Sequence, residues 1–476
     1  MKSREPGIVI LYPALSGTGT ILHMGSGMRV DSSVSGNWVC SLSLVLFLFL
    51  AYTMNSRLVL DGDAAAAMLL SVAMIRGDGP FLDRFDGPLL QDPLQEGQLV
   101  YVCTRARGHI VSRYPLAPAL LVLPIAVPQV LLLDRFQPGW ERDPREFLAW
   151  CTLMAKASAA VITAVTAVGL LHLLRGIGLG KVALPTALAA ALGTSLWTTA
   201  SQSLWQHGPA ALALTLSMIL LLPREPSRAR LFWAGGTTAM LVACRGIDIV
   251  FALAILLYVA RYQGRKLAWF LPLPLLVGGL LLAYNTWCFG SVAGGQTELE
   301  RLHRHMHDVD GPWSGNLLEG AMGTLLSPSR GLFVFSPWIA LALASLPATA
   351  RTLRELPLNR HLLWSLIPFF LLLSKYAVWW GGHCFGPRYW TDAVPIFAVL
   401  LGLSLDWALA RCRPLLAALG VSILVSVAVQ ALGAFRYTGS WDFFPNDVDH
   451  HHERLWDWRD SVVTRCLTDG PGPRRR

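Results

Sequence analysis

Asp61 and Asp63, in "LVLDGDAAAAMLL", stand between one hydrophobic run and a stretch of alanines and aliphatics that reads as a helix. A carboxylate there has two uses. It caps the helix by accepting hydrogen bonds from the first free backbone N–H groups, or it serves as a general base on a hydroxyl held nearby. One aspartate can do both, with one oxygen for each. Further along, Arg113, Arg245, Arg330, Lys375 and Arg388 fall at the edges of apolar runs. Cations at the margin of hydrocarbon are costly unless paired. Asp248 and Asp392 are the nearest acids for pairing, but a phosphate would satisfy several cations at once, and arginine suits bidentate contact with it. Arg113 with Tyr114 in "SRYPLAP", and Arg388 with Tyr389 in "GPRYW", are the leading residues for such an anion. Lys156 either joins them or pairs inside a helix bundle.

The aromatic run "VWWGGHCFGPRYW" reads as a membrane-interface belt, in which Trp379 or Trp380 is also suited to stack on a sugar. Two histidine-rich patches, "LHRHMHD" (302–308) and "DHHHE" (449–453), match no recognised zinc spacing. They are expected to be solvated loops, with no metal and no cofactor. The eight cysteines include no CxxC pair, so they suggest neither a zinc framework nor a deducible disulfide.

The elements that must position these groups follow from composition. Of the 476 residues, 54% are hydrophobic and 14% charged, against about a quarter charged in an ordinary soluble domain. An all-α polytopic membrane protein is expected, and its formal charge of +9 belongs to loops rather than to a nucleic-acid surface. A hydrocarbon core of about 30 Å needs roughly 20 apolar residues per helix. Candidate spans are 38–55, 147–174, 183–202, 208–223, 230–245, 247–260, 267–286, 330–348, 361–375, 391–409 and 414–434, or about 11 transmembrane helices. No internal repeat is evident.

The segment 112–134 decides sidedness. It contains Pro115, Pro118, Pro124 and Pro128, which suit a broken, re-entrant or juxtamembrane helix better than a clean span. If it does not cross, one set of short loops carries Arg175, Lys181, Arg224, Arg228, Arg230, Arg261, Arg265, Lys266, Arg351, Arg354, Arg360, Arg411 and Arg413, against only Glu225 and Glu355. That set must then face the cytoplasm, because cytoplasmic loops carry the cations. The expected organisation is a disordered cytoplasmic leader (1–37), a transmembrane domain (38–434) with outer loops at 56–146 and 287–329, and an extracytoplasmic tail (435–476).

In their order along the chain, the acid after the first span, "SRYPLAPALL", "AKASAAVITAVTAVGLLHLLRG" and "SQSLWQHGPAALALTLSMILLL" resemble the GT-C-type membrane glycosyltransferases. The likeness is to the branch related to the aminoarabinose transferase and the protein mannosyltransferases. The stretches "YNTWCFGSVAGG", "LLSPSRGLFVFSPW" and "WWGGHCFGPRYWTDAVPIFAVLL" are similar to bacterial members. This resemblance implies a GT-C-like fold over most of 38–410 in a bacterial plasma membrane. Asp63 or Asp61 would be the base toward a hydroxyl of a lipid, glycan or protein acceptor. The donor would be a polyprenyl-phosphate-linked hexose or pentose, and His207 a polar active-site residue. Many relatives carry adjacent acids where Ala64 follows Asp63 here, which leaves open which aspartate acts and removes one candidate metal ligand. The rival readings are a transporter or lipid flippase, which predicts ionisable groups in mid-bilayer, and a non-catalytic protein keeping the fold.

Overall fold

The computed structural model describes residues 38–59, 62–92 and 97–468, without the side chains of Asp63 and His305. Asp61, the leader 1–37 and the last residues of the tail lie outside the described residues. The fold is mostly helical, and six helices are long and apolar enough to cross a membrane. The remaining apolar helices are shorter or interrupted.

Helix α1 (Trp38–Thr53) is followed by α2 (Gly62–Ile75), a two-stranded antiparallel ribbon of β1 (Cys103–Ala106) and β2 (His109–Ser112), α3 (Ala117–Phe136) and α4 (Pro144–Gly176). The start of α4 is well specified: Pro144 takes the first helical position, and the Asp143 carboxylate accepts from the N–H groups of Arg145 and Glu146. Such a cap is worth about 1 kcal/mol. At 33 residues α4 is about 50 Å long, well beyond a hydrocarbon core of about 30 Å. Two contacts set it against α1. Ser41 Oγ meets His172 Nε2 at 3.0 Å, and Lys156 Nζ donates to Asn55 Oδ1 at 2.5 Å. The helices are therefore antiparallel, and the first three turns of α4 project past the point where α1 ends. Lys156, expected within a span, sits at that level with its ammonium on the carbonyls of Asn55 and Arg57.

The projecting turns of α4 pack with α2, α3 and the ribbon region around a separate apolar cluster containing Met68, Leu70, Val122, Val130, Phe147 and Cys151. The proline-rich segment was expected to break, yet α3 runs uninterrupted for 20 residues with Pro124 and Pro128 inside it. Its buried residues, Ala119, Val122, Ala126, Val130 and Leu133, recur at helical spacing. Both prolines lie on the opposite, exposed face, where their missing N–H groups cost no packing contact. Its N-terminal end meets the 295 region, since a Cβ on Gly295 would lie 2.2 Å from the Arg113 carbonyl. Its C-terminal end holds Arg76 through Asp134 and receives the Trp140 indole. Both ends of α3 are thus tied to other segments of the chain, and by length and apolar composition α3 is itself one of the six helices able to cross a membrane.

The main bundle continues with α5 (Gly180–Leu192), α6 (His207–Leu220), α7 (Arg228–Cys244), α8 (Ile249–Gln263), α9 (Leu267–Phe270) and α10 (Pro272–Phe289). Past α10 come α11 (Gln296–Met306), α12 (Leu317–Leu326), α13 (Leu332–Phe335), α14 (Pro337–Ala344) and α15 (Leu346–Arg354). The last elements are α16 (Pro357–Lys375), α17 (Val394–Arg411), α18 (Arg413–Arg436), α19 (Ser440–Phe443) and α20 (Val462–Thr468). The expected span 183–202 stops at Gly193 and resumes as a wide turn over Leu196–Ala200. The carbonyl freed at Gly193 accepts from Ser336 Oγ at 2.8 Å and Trp338 Nε1 at 3.3 Å, which is how broken helices are tolerated inside a packed apolar bundle. The expected span 330–348 is likewise divided, into α13, α14 and α15.

Helix α17 is buried along nearly its whole length, whereas α10 leaves Leu275, Leu276, Leu280 and Leu282 exposed and α18 leaves Val421, Leu424 and Val425 exposed. An apolar outer surface of this extent suits contact with lipid.

Candidate functional site

The cation-rich loops gather at one end of the bundle. Gly176, Arg224, Tyr258, Glu355 and Asn359 line a common cavity there. Gln263 Nε2 donates to the Arg224 carbonyl, and Lys266 lies 3.7 Å from Glu225. The opposite end, where α1 finishes and α6, α8 and α17 begin, holds the residues singled out for chemistry.

Asp63 falls in the first turn of α2, one residue after Gly62. Gly62 has φ +46° and so close an approach that a Cβ would lie 2.2 Å from Tyr101 Oη; only glycine fits that conformation and that space. The Tyr101 carbonyl in turn accepts from Arg113 Nη1 at 2.6 Å. The stretch before α2 is held from the other side, where Ser203 Oγ donates to the Val59 carbonyl at 2.6 Å. Two residues past Ser203, the Trp205 ring lies under the Arg388 guanidinium, 5.0 Å from its centroid. The start of α2 is thereby seated between the Arg113 and Arg388 regions.

Most of the cations proposed for an anion have partners inside the chain. Arg113 Nε donates to Glu298 at 2.9 Å. Arg245 pairs with Asp392, Arg330 Nη2 bonds Asp442 at 2.9 Å, and Lys375 Nζ donates to the Gly315 carbonyl at 2.9 Å. Asp442 is fully buried, and burial pushes its carboxyl up despite the guanidinium beside it. Arg388 is set against rings. Its guanidinium lies 5.3 Å from the centroid of Tyr389, and that of Arg245 lies 5.0 Å from the same ring. Tyr389 thus carries two cations. Tyr114 closes a local turn, its N–H donating to Ser112 Oγ at 3.0 Å.

His207 is buried at the start of α6, and Asp392 Oδ1 lies 3.0 Å from its Nδ1. Asp392, His207 and Arg245 therefore form one interior charge group. Asp248, buried at the start of α8, interacts with this charge group, and neither of its carboxylate oxygens has a hydrogen-bond partner among the described residues. Asp392 was expected as a partner for these cations, and it holds Arg245. Trp379 and Trp380 are both buried. Trp379 lies over Gly323, and Trp380 Nε1 donates to Asp449 Oδ1 at 2.7 Å. A small cavity of about 10 Å³ lies among Thr324, Arg330, Trp380, Arg388 and Tyr389.

The two histidine-rich patches depart most from expectation. His307 and Asp449 are buried and lie against each other, with His383 beside them. What joins them is a tertiary contact between the 302–308 segment and the tail, and no sequence spacing records it. Compared with known proteins, the chain matches no family model, no curated protein and no solved structure.

Proposed function

We propose that this chain is a GT-C-type membrane glycosyltransferase, with its N-terminus in the cytoplasm and its active site at the extracytoplasmic face. It would take a hexose or pentose from a polyprenyl-phosphate donor and place it on a hydroxyl of a lipid, glycan or protein. On this reading α3 rests at the outer membrane surface, its exposed Leu120, Val127, Leu131 and Leu132 turned to lipid. Asp63 or Asp61 takes the acceptor's proton, and the oxygen attacks the anomeric carbon with inversion. The bond to the leaving phosphate breaks as its charge develops against a preorganised cation. Arg388 is that cation, held in place by Trp205 and Tyr389.

The observation that carries this reading is the convergence of the acidic start of α2 with Arg113 and the Trp205–Arg388 stack at one end of the bundle. Native mass spectrometry of the detergent-purified protein tests it. A co-purified polyprenyl phosphate lipid, lost in Arg388→Gln, is the expected result. Failure of the wild type to retain added polyprenyl-phosphate sugar contradicts it.

A lipid or ion translocator is the second reading, favoured by Asp248, a buried acid with no hydrogen-bond partner among the described residues. It predicts donor-lipid or ion movement across proteoliposomes without sugar transfer, abolished in Asp248→Asn.

A further inference from the structure

Three segments remote in sequence meet at one point on the face of the bundle that bears Arg388. His383 comes from the loop after α16, Asp447 and Asp449 from the tail after α19, and His307 from the residue that ends α11. His383 Nε2 lies 2.9 Å from Asp447 Oδ1 and 3.2 Å from Asp449 Oδ2, and His307 Nδ1 lies 3.2 Å from the same Asp449 oxygen. One donor atom each from His383, Asp447 and Asp449 falls within 4.8 Å of the others.

Hydrogen bonding alone serves this set poorly. A single N–H on His383 is divided between two carboxylates. Asp447 Oδ1 already accepts from the Asp449 N–H at 2.9 Å, and Asp449 Oδ1 from Trp380 Nε1. His307 is only 7% exposed, and its Nδ1, 3.2 Å from Asp449 Oδ2, has no well-aligned hydrogen bond among the described residues. A buried polar atom left so is costly unless a group outside the protein completes it. The Trp380 indole orients the acid from behind, and the His452 ring packs on Trp380 at 4.1 Å, the kind of outer support that ligating side chains require.

We propose that His307, His383, Asp447 and Asp449 bind one divalent transition-metal cation. The donors of His383, Asp447 and Asp449, 2.9 and 3.2 Å apart at His383 and all within 4.8 Å of one another, approach the edge of a tetrahedron, about 3.4 Å for donors roughly 2.1 Å from the ion. His307 reaches the set through Asp449. A mixed nitrogen and oxygen set favours zinc, iron or cobalt over calcium or magnesium. The ion clamps the tail and the end of α11 onto the loop that leads to Arg388. It does not depend on the transferase reading, because it is read by binding alone.

The test uses full-length protein in detergent, purified without a polyhistidine tag and stripped with chelator. Titration with Zn²⁺ is expected to reach one ion per chain, and Co²⁺ in its place to give the visible absorption of a low-coordinate site. Asp449→Asn and His383→Gln should each weaken Zn²⁺ by about tenfold or more, while exchanging His450 and His451 for Gln leaves it unchanged. If Asp449→Asn does not fold, His383→Gln, whose ring is partly exposed, decides. The proposal is overturned if the wild type takes up no Zn²⁺, if His383→Gln binds as the wild type does, or if the His450/His451 double variant alone abolishes uptake.

Discussion

Asp392 holds two cationic or proton-bearing groups at once, and nothing of its side chain is exposed. Removing one member of a buried pair leaves the other's charge unsolvated, at about 3–5 kcal/mol. Asp392→Ala is therefore expected to lower the thermal midpoint in detergent by several degrees, and the Asp392→Leu, Arg245→Met double variant to recover much of the loss. A midpoint unchanged in Asp392→Ala would mean that Arg245 is solvated and the pair absent. The same logic shows what residue types alone could reveal. Arg245 and Arg330 fell at span edges and read as anion ligands; Asp392, which holds Arg245, was among the acids foreseen as partners, but Asp442, which holds Arg330, was not. The acid that neutralises Arg330 is 112 positions away. Arg388 lies against Trp205 and Tyr389, which were visible as aromatic residues in "SLWQHG" and "GPRYW". The His–Asp cluster was legible only in part, since "NDVDH" offers two carboxylates in alternate positions but gives no hint of His307 or His383.

At the scale of elements, α3 and α4 set the geometry of the working end. The prolines suggested that α3 would break. It persists because both fall on its outward face, a distinction that composition cannot make but the spacing of Ala119, Val122, Ala126 and Val130 could. The long span 147–174 was anticipated almost to its ends, yet where it crosses was not. Only the Ser41–His172 and Lys156–Asn55 contacts reveal that its first turns project beyond α1. This register makes a topological prediction. Single cysteines at Met54 and Gln137, one at each end of the α2–α3 layer, should both react with a membrane-impermeant maleimide from the extracytoplasmic side of sealed vesicles. A cysteine at Ser227, among the cation-rich loops, should react only when the vesicles are opened. Labelling of Met54 and Gln137 from opposite sides would mean that α3 crosses. The divided spans at Gly193 and around Ser336 were not legible, because their breaks are stabilised by each other across the bundle, through Ser336 and Trp338 on the Gly193 carbonyl.

For the whole molecule, hydropathy and charge bias were enough to foresee a helical membrane protein with opposite chemical characters at its two ends. One end collects short basic loops. The other collects acids, aromatics and structured connections, including an α2–α3–ribbon layer and a tail whose Trp441, Val448 and Leu455 pack with Val378, Trp379 and Phe385. That layer and tail read as loops in sequence because their apolar residues are spread among glycines, prolines and charges. Their packing onto α4 and α18 supplies what their own length does not. The account stands or falls on whether an acid at the start of α2 performs sugar transfer at this end. The most direct measurement is transfer from a labelled polyprenyl-phosphate sugar in proteoliposomes by the wild type, Asp63→Asn and Asp61→Asn, each checked for unchanged thermal stability. Asparagine caps a helix about as well as aspartate but cannot take a proton as a carboxylate does. Transfer by the wild type, with a loss of about 10²-fold or more in one of the two variants, is the predicted result; transfer at the wild-type rate in both, or none in the wild type, contradicts it.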